Sequence, residues 1–392
     1  MIIGDVPAVA VAAYGRSVGT VYPRSIQCND PLPLESGAQL PAPWTLAYET
    51  YGQLNAQRSN AILVCHALSG DAHAAGTHST NGKRPGWWDA FIGPGRAFDT
   101  DRYFVICSNV IGGCAGSTGP ASLMPGTDQP YGSRFPVITI ADMVAAQARL
   151  IDALGIEVLV AVAGGSMGGM QALQWTVSYP ERVQGVLAIA TTARSSAMSI
   201  ALNAIGRQAI IRDQRWCGGD YYAASPPADG LAIARMVGHI SYLSDQALAD
   251  KFDRRLQDHT AVQYSVEPEF AVESYLEYQG NSFVQRFDAN SYLVITKAMD
   301  YFDLPGRYGS LRQALARSQA HFLALSFSSD WLYPTSELDA LAAGLRSAGR
   351  PVRQIEFNSP KGHDAFLLED ALMSPVISEF LEDLAPLQAR FV

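Results

Sequence analysis

The chain alternates between two kinds of hydrophobic pattern. Ala61–Cys65, Tyr103–Cys107 and Val158–Ala163 are unbroken apolar runs of strand length, rich in β-branched residues and each followed by a glycine-rich or polar turn. Unbroken rather than alternating apolar character marks strands covered on both faces, so these runs predict a parallel sheet between helices. Ala141–Leu154 carries apolar residues at helical spacing and stops at Gly155, a residue suited to a helix end. Strand, helix and strand in that order predict a right-handed crossover.

A further strand-like run, Val183–Thr191, is followed by a change of texture. From about Arg194 to Tyr308 the pattern is mostly helical, richer in charged and aromatic residues, and interrupted at Pro226, Pro227 and Pro268. The sheet pattern then returns as strands at His321–Ser326 and Val352–Phe357 around a helix at Ser336–Ala348. The economical reading is one α/β core, residues 1–193 and 309–392, with a helical cap inserted at 194–308. No internal repeat or low-complexity segment interrupts this plan.

Composition narrows the possible partners. With 48% hydrophobic and 17% charged residues in 392, the chain can bury a large core and is expected to be globular. A formal net charge of −9 argues against nucleic acid or a membrane surface as partner and leaves small molecules. The five cysteines, Cys28, Cys65, Cys107, Cys114 and Cys217, are scattered without C-x-x-C spacing, so neither a disulfide framework nor a zinc site is expected. Cys65 and Cys107, at strand ends, read as core packing. The first twenty residues carry Asp5 and are broken by Gly4, Pro7 and Gly15, unlike a secretory signal, and no apolar run reaches the length of a membrane span. A cytoplasmic protein with a loosely ordered N-terminal arm is the expectation.

The chemistry is carried by Gly164-Gly165-Ser166-Met167-Gly168-Gly169, a G-x-S-x-G motif lying between the strand Val158–Ala163 and a helical run, Met170–Tyr179, closed by Pro180. A serine on such a sharp strand-to-helix turn is projected above the sheet, and the glycines leave room where a Cβ would collide with neighbouring backbone. This context predicts an α/β-hydrolase fold with a mostly parallel central sheet. A serine hydroxyl needs a base, and the base an orienting acid; in this fold they follow in the order Ser, acid, His after later strands. Asp330 follows His321–Ser326, and His363 follows Val352–Phe357, so Ser166, Asp330 and His363 form the expected triad. Oxyanion donors are expected at the N–H groups of Met167 and of Leu68, the latter in the small-residue turn after Ala61–Cys65. Asp71, His73 and His78 are possible metal ligands by type, but their glycine- and alanine-rich loop offers no further ligand, and no metal is expected. These residues point to acyl transfer through a serine, to water or to another acceptor, and do not choose the acceptor.

The chain resembles the homoserine O-acyltransferase family over roughly residues 45 to 370. The likeness is carried by Cys65-His66-Ala67-Leu68-Ser69-Gly70-Asp71-Ala72-His73, Pro85-Gly86-Trp87-Trp88-Asp89, Ile111-Gly112-Gly113-Cys114, Gly116-Ser117-Thr118-Gly119-Pro120, GGSMGGMQALQW from Gly164, Ala234-Arg235-Met236-Val237-Gly238-His239, Phe287-Asp288-Ala289-Asn290 and Gly362-His363-Asp364. It implies a ping-pong reaction in which an acyl group passes from an acyl-coenzyme A to Ser166 and then to the hydroxyl of L-homoserine, with no bound cofactor. It also implies that Arg235 holds the homoserine carboxylate, Asp364 its ammonium, and that Tyr242 lies near the pocket. A homodimer through the cap helices is implied by the resemblance alone. Trp87, Trp88 and aromatic cap residues are expected to wall a narrow tunnel that keeps water from the acyl-enzyme. After Asp330 the sequence reads Trp331-Leu332-Tyr333-Pro334, without the cation that a succinyl carboxylate needs, which favours acetyl-CoA as co-substrate over the succinyl donor. A serine esterase or thioesterase would use the same triad with water as acceptor.

Overall fold

Six apolar runs of the sequence become neighbouring strands of one eight-stranded sheet. The computed structural model describes residues 17–79, 84–258 and 260–388; the expected N-terminal arm up to residue 16 lies outside them, as does His259. The strands are β1 (Arg24–Cys28), β2 (Trp44–Tyr51), β3 (Ala61–Cys65), β4 (Phe104–Ser108), β5 (Leu159–Gly165), β6 (Val183–Ile189), β7 (His321–Phe327) and β8 (Val352–Phe357), in the spatial order β1-β2-β4-β3-β5-β6-β7-β8. β2 runs antiparallel to both neighbours and the remaining pairs are parallel. Strands β3, β4 and β5 are buried at every position, as expected of strands covered on both faces. Edge strand β8 is only partly buried.

Helix α1 (Ile140–Ala153) begins at a capping box in which the Thr139 side chain accepts from the Asp142 N–H and the Asp142 carboxylate accepts from the Thr139 N–H. It packs with α2 (Met167–Ser178) on one face of the sheet. The other face is closed by the residue 88–98 segment and the C-terminal helix, including Met373, Ile377 and Leu381.

Between β6 and β7 the chain is helical. Helices α3 (Ala197–Arg212), α4 (Ala228–Tyr242), α5 (Asp245–Lys251), α6 (Ala271–Val284) and α7 (Ala289–Asp300) form this insertion, with α4 packed between α3 and α6. Its two ends meet: the Ser195 N–H donates to Phe302 O at 2.9 Å, the Leu304 N–H donates to Ala193 O at 3.0 Å, and Arg194 pairs with Asp303 at 3.3 Å. The short α8 (Leu304–Tyr308) and α9 (Leu311–Ala316) then lead back to β7, α9 packing against α10 (Thr335–Ser347). Among the described residues no helix is long and apolar enough to cross a membrane.

Candidate active site

Parallel strands place their carboxyl ends on one edge, and in open α/β sheets that edge carries the ligand crevice. The loops after β3, β5, β7 and β8 bring Leu68, Ser166, Asp330 and His363 to that edge. Ser166 joins β5 to α2 with φ 57° and ψ −124°, outside the regions favoured by an L-residue. The strain is over-determined by its surroundings: the Ser166 N–H donates to Ile189 O at 3.0 Å, and the Thr191 hydroxyl donates to Ser166 O at 2.7 Å. The turn closes only on glycine. A Cβ at Gly164 would lie 2.4 Å from Gly168 C, and one at Gly168 would lie 2.1 Å from Cys65 O.

Asp330 and His363 are almost wholly buried and joined by a 2.7 Å contact between Asp330 Oδ2 and His363 Nδ1. The other carboxylate oxygen accepts the Leu332 and Tyr333 N–H groups, each at 3.0 Å. Asp330 is therefore fixed by backbone on one side and fixes the imidazole on the other, the work of the orienting acid in a triad. Gly362, at φ 67°, lets the histidine loop press against the end of α4, where a Cβ would lie 2.5 Å from Ser244 N. His363 also sits among the rings of Tyr333, Phe366 and Tyr242, at centroid distances of 5.2, 5.3 and 6.0 Å. Its Nε2 is buried and makes no hydrogen bond among the described residues, so the expected link to the Ser166 hydroxyl is not closed in this structure. Such bonds commonly tighten only when substrate binds.

Ser166 and Leu68 open into one small cavity shared with Ser199, Leu202 and Asn203 of α3, Val237, Ser241 and Tyr242 of α4, Tyr292 and Met299 of α7, and Leu332 and Tyr333. The helical insertion thus roofs the serine. Trp87 and Trp88, expected in that wall, do not line it. Trp88 is buried beneath the histidine loop, its indole N–H donating to Phe366 O, and Trp87 donates to Asp71 O. Their flat apolar faces serve the core and the loop rather than the cavity, and Tyr242 and Tyr292 take the expected aromatic place.

Arg235 reaches from α4 over the rings of Phe283, at 4.8 Å, and Tyr242, at 5.6 Å, and donates to the Ser69 hydroxyl at 3.3 Å. Burial raises the carboxyl of Asp364, while His363 and Arg235 pull it down, so it lies within the field of both. Arg286, unremarked in the sequence, donates to Ser69 O at 2.9 Å, so two arginines of the insertion grip the turn that carries Leu68. Only packing between distant elements brings them there, and no local signal announces it.

The Asp71, His73 and His78 group is rearranged. Buried Glu49 of β2, not Asp71, meets the two histidines, at 2.9 Å from His73 Nδ1 and 2.6 Å from His78 Nε2. The Asp71 carboxylate instead accepts the His73 N–H. Burial along β2 alternates from Trp44 to Tyr48 and then breaks, with Tyr48 and Glu49 both buried, so strand alternation does not mark Glu49. Cys65 and Cys107 are fully buried, and burial pushes the Cys65 thiol up to about 12, so it packs as an inert apolar group.

Comparison with known proteins agrees with this fold. A family model described as the α/β hydrolase fold matches residues 60–368. The homoserine O-acetyltransferase of Solidesulfovibrio magneticus is 54% identical over 374 residues, covering 94% of each chain. Among solved structures, the homoserine O-acetyltransferase of Bacillus anthracis superposes with a TM-score of 0.87 at 31% identity, over 92% of this chain and 98% of that one. Esterase E22 superposes with a TM-score of 0.85 at 30% identity, over 92% and 100%.

Proposed function

Because the chain belongs to the homoserine O-acetyltransferase family of the α/β-hydrolase fold, we propose that it moves an acetyl group from acetyl-CoA to L-homoserine through Ser166, with Asp330 and His363 completing the triad. Ser166 Oγ attacks the thioester carbonyl while His363 Nε2 takes its proton, and the oxyanion forms against the Leu68 and Met167 N–H groups. His363 returns the proton to the departing thiolate. In the second half-reaction His363 deprotonates the homoserine hydroxyl, which attacks the acetyl-serine, and returns that proton to Ser166 Oγ as the ester bond breaks and O-acetyl-L-homoserine leaves. No step calls for a metal or a bound cofactor.

The observation that carries this reading is the cavity holding Ser166 beneath helices that also bear Arg235 and Tyr242. A guanidinium clamps a carboxylate in a two-pronged pair, and Asp364 supplies the negative charge for the ammonium. The roof supports transfer over hydrolysis by limiting water at the acyl-serine. No lysine or arginine follows Asp330 in Trp331-Leu332-Tyr333-Pro334, which suits acetyl rather than succinyl.

Thiol release from acetyl-CoA and from succinyl-CoA, each with and without homoserine, tests the reading. Homoserine-dependent release from acetyl-CoA, abolished in Ser166→Ala, is expected; preference for the succinyl donor would overturn the acyl group. Release without homoserine would make the protein a hydrolase, the reading that its likeness to esterase E22 favours. The outward faces of α3 and α4 expose Met198, Ile205, Ile233 and Ile240, which supports a homodimer through these helices. Sedimentation of Ile205→Glu as a monomer and of the parent chain as a dimer is the expected result. The reaction's acetyl-CoA supply and five unpaired cysteines fit the cytoplasm.

A further inference from the structure

The turn after β3 holds a buried histidine that the mechanism above does not use. His66 is 1% exposed, and its two ring nitrogens face backbone groups: Nε2 lies 3.1 Å from the Val110 N, and Nδ1 lies 2.8 Å from the Ala67 O. A backbone N–H can only donate and a carbonyl oxygen can only accept. Nε2 is therefore the bare nitrogen, and the proton resides on Nδ1, which donates to Ala67 O. Burial pushes the His66 pKa down, which keeps this neutral tautomer in place at neutral pH.

The carbonyl of Ala67 belongs to the same peptide plane as the N–H of Leu68. In a planar trans peptide the two point in opposite directions, so holding one aims the other. Ala67 O also accepts the Gly70 N–H at 2.9 Å, and room for that approach requires glycine, since a Cβ at Gly70 would lie 2.9 Å from the His66 Cβ. The Leu68 N–H itself donates to nothing among the described residues, and Leu68 shares the cavity of Ser166.

We infer that His66 is a positioning residue for the acetyl-transfer reaction: it locks and polarises the Ala67–Leu68 peptide so that the Leu68 N–H stands ready for the oxyanion. The inference rests on the proposed assignment of Leu68 as an oxyanion donor. Two hydrogen bonds on a carbonyl strengthen the donor at the other end of its peptide, and a donor fixed beforehand costs no reorganisation when charge develops. Val110 extends the lock to the loop after β4, and the insertion grips the same turn through Arg235 and Arg286 on Ser69.

The test is steady-state kinetics on full-length His66→Leu, His66→Asn and His66→Gln. It is paired with inhibition by a trifluoromethyl ketone analogue of acetyl-CoA, whose serine adduct carries the oxyanion. Deleting a whole oxyanion donor costs about 10²- to 10³-fold in kcat, so loosening one should cost about 10- to 100-fold in His66→Leu. The inhibition constant should rise in step while KM for acetyl-CoA stays put. Asparagine keeps an N–H near the Nδ1 position and should recover most of the rate; glutamine reaches the Nε2 position and should not. Equal rates for these two variants, or a folded His66→Leu with unchanged kcat and inhibition, would overturn the inference. Leu68→Pro, which removes the donor, separates the failures. If it is folded and fully active, the oxyanion assignment falls and the inference with it; if it is slow while His66→Leu is fast, only His66 is wrong.

Discussion

The sheet edge and the helical insertion meet over Ser166 but are built to different standards. On the sheet side, Ser166 and Asp330 follow strands β5 and β7, which are buried along nearly their whole length, His363 follows the partly buried edge strand β8, and Asp330 is pinned by two backbone N–H groups and by the imidazole. On the insertion side, α5 buries no residue and α6 only Gly280 and Phe283, while α3 and α4 turn isoleucines to the outside. The proposed bond-making groups stand at the carboxyl ends of the sheet strands, and the proposed substrate-reading Arg235 stands on helix α4 of the insertion. Geometry within about an ångström decides reaction rates, whereas recognition tolerates adjustment.

Breaking the sheet side should cost most. Asp330→Asn is expected to keep the fold yet lose about 10⁴-fold in kcat, because an amide favours the wrong imidazole tautomer. Stopped-flow release of thiol and transfer to homoserine should both slow; a variant slowed in only one would show that Asp330 does not serve both half-reactions. On the insertion side, Arg235→Ala should lower kcat/KM for homoserine about 100-fold, the scale of a lost charge-assisted pair. The rate of acylation by acetyl-CoA should stay near that of the parent. Equal losses in the two half-reactions would erase the division between the regions.

Acid provides the smallest and most selective probe. His239 of α4 lies near Arg235, Lys251 and Arg286, and burial first, then these cations, push its pKa down to about 3. Unfolded chain takes up a proton near pH 6.5 that the folded protein refuses, so stability is full above that value and falls as pH drops towards 3. Melting curves should show the loss between these limits and a flatter profile in His239→Gln. An identical profile in that variant would exonerate His239.

The sheet side is also the side the sequence makes legible. The chain order of Ser166, Asp330 and His363 matches the order of the strands they follow, and unbroken apolar runs mark strands β3 to β7 to within about two residues. β1 and β2 escape such a reading because their burial alternates or is slight. The cavity wall escapes it as well: Ser199, Asn203 and Tyr292 are ordinary positions on amphipathic helices until α3 and α7 are docked. Glu49 and His66 belong to the same class, since their partners are settled by folding across the sheet. Trp87 and Trp88 misled because large aromatics fill a core as readily as they line a pocket.

The pairing of Ser195 with Phe302 and of Leu304 with Ala193 makes the insertion a cassette with a clasped neck. A segment whose two ends are fastened side by side loads the host sheet no more when it holds one helix than when it holds five, because loop-closure entropy grows only slowly with length. Selection, or a protein engineer, can therefore trade one roof for another while the reacting groups beneath keep their places.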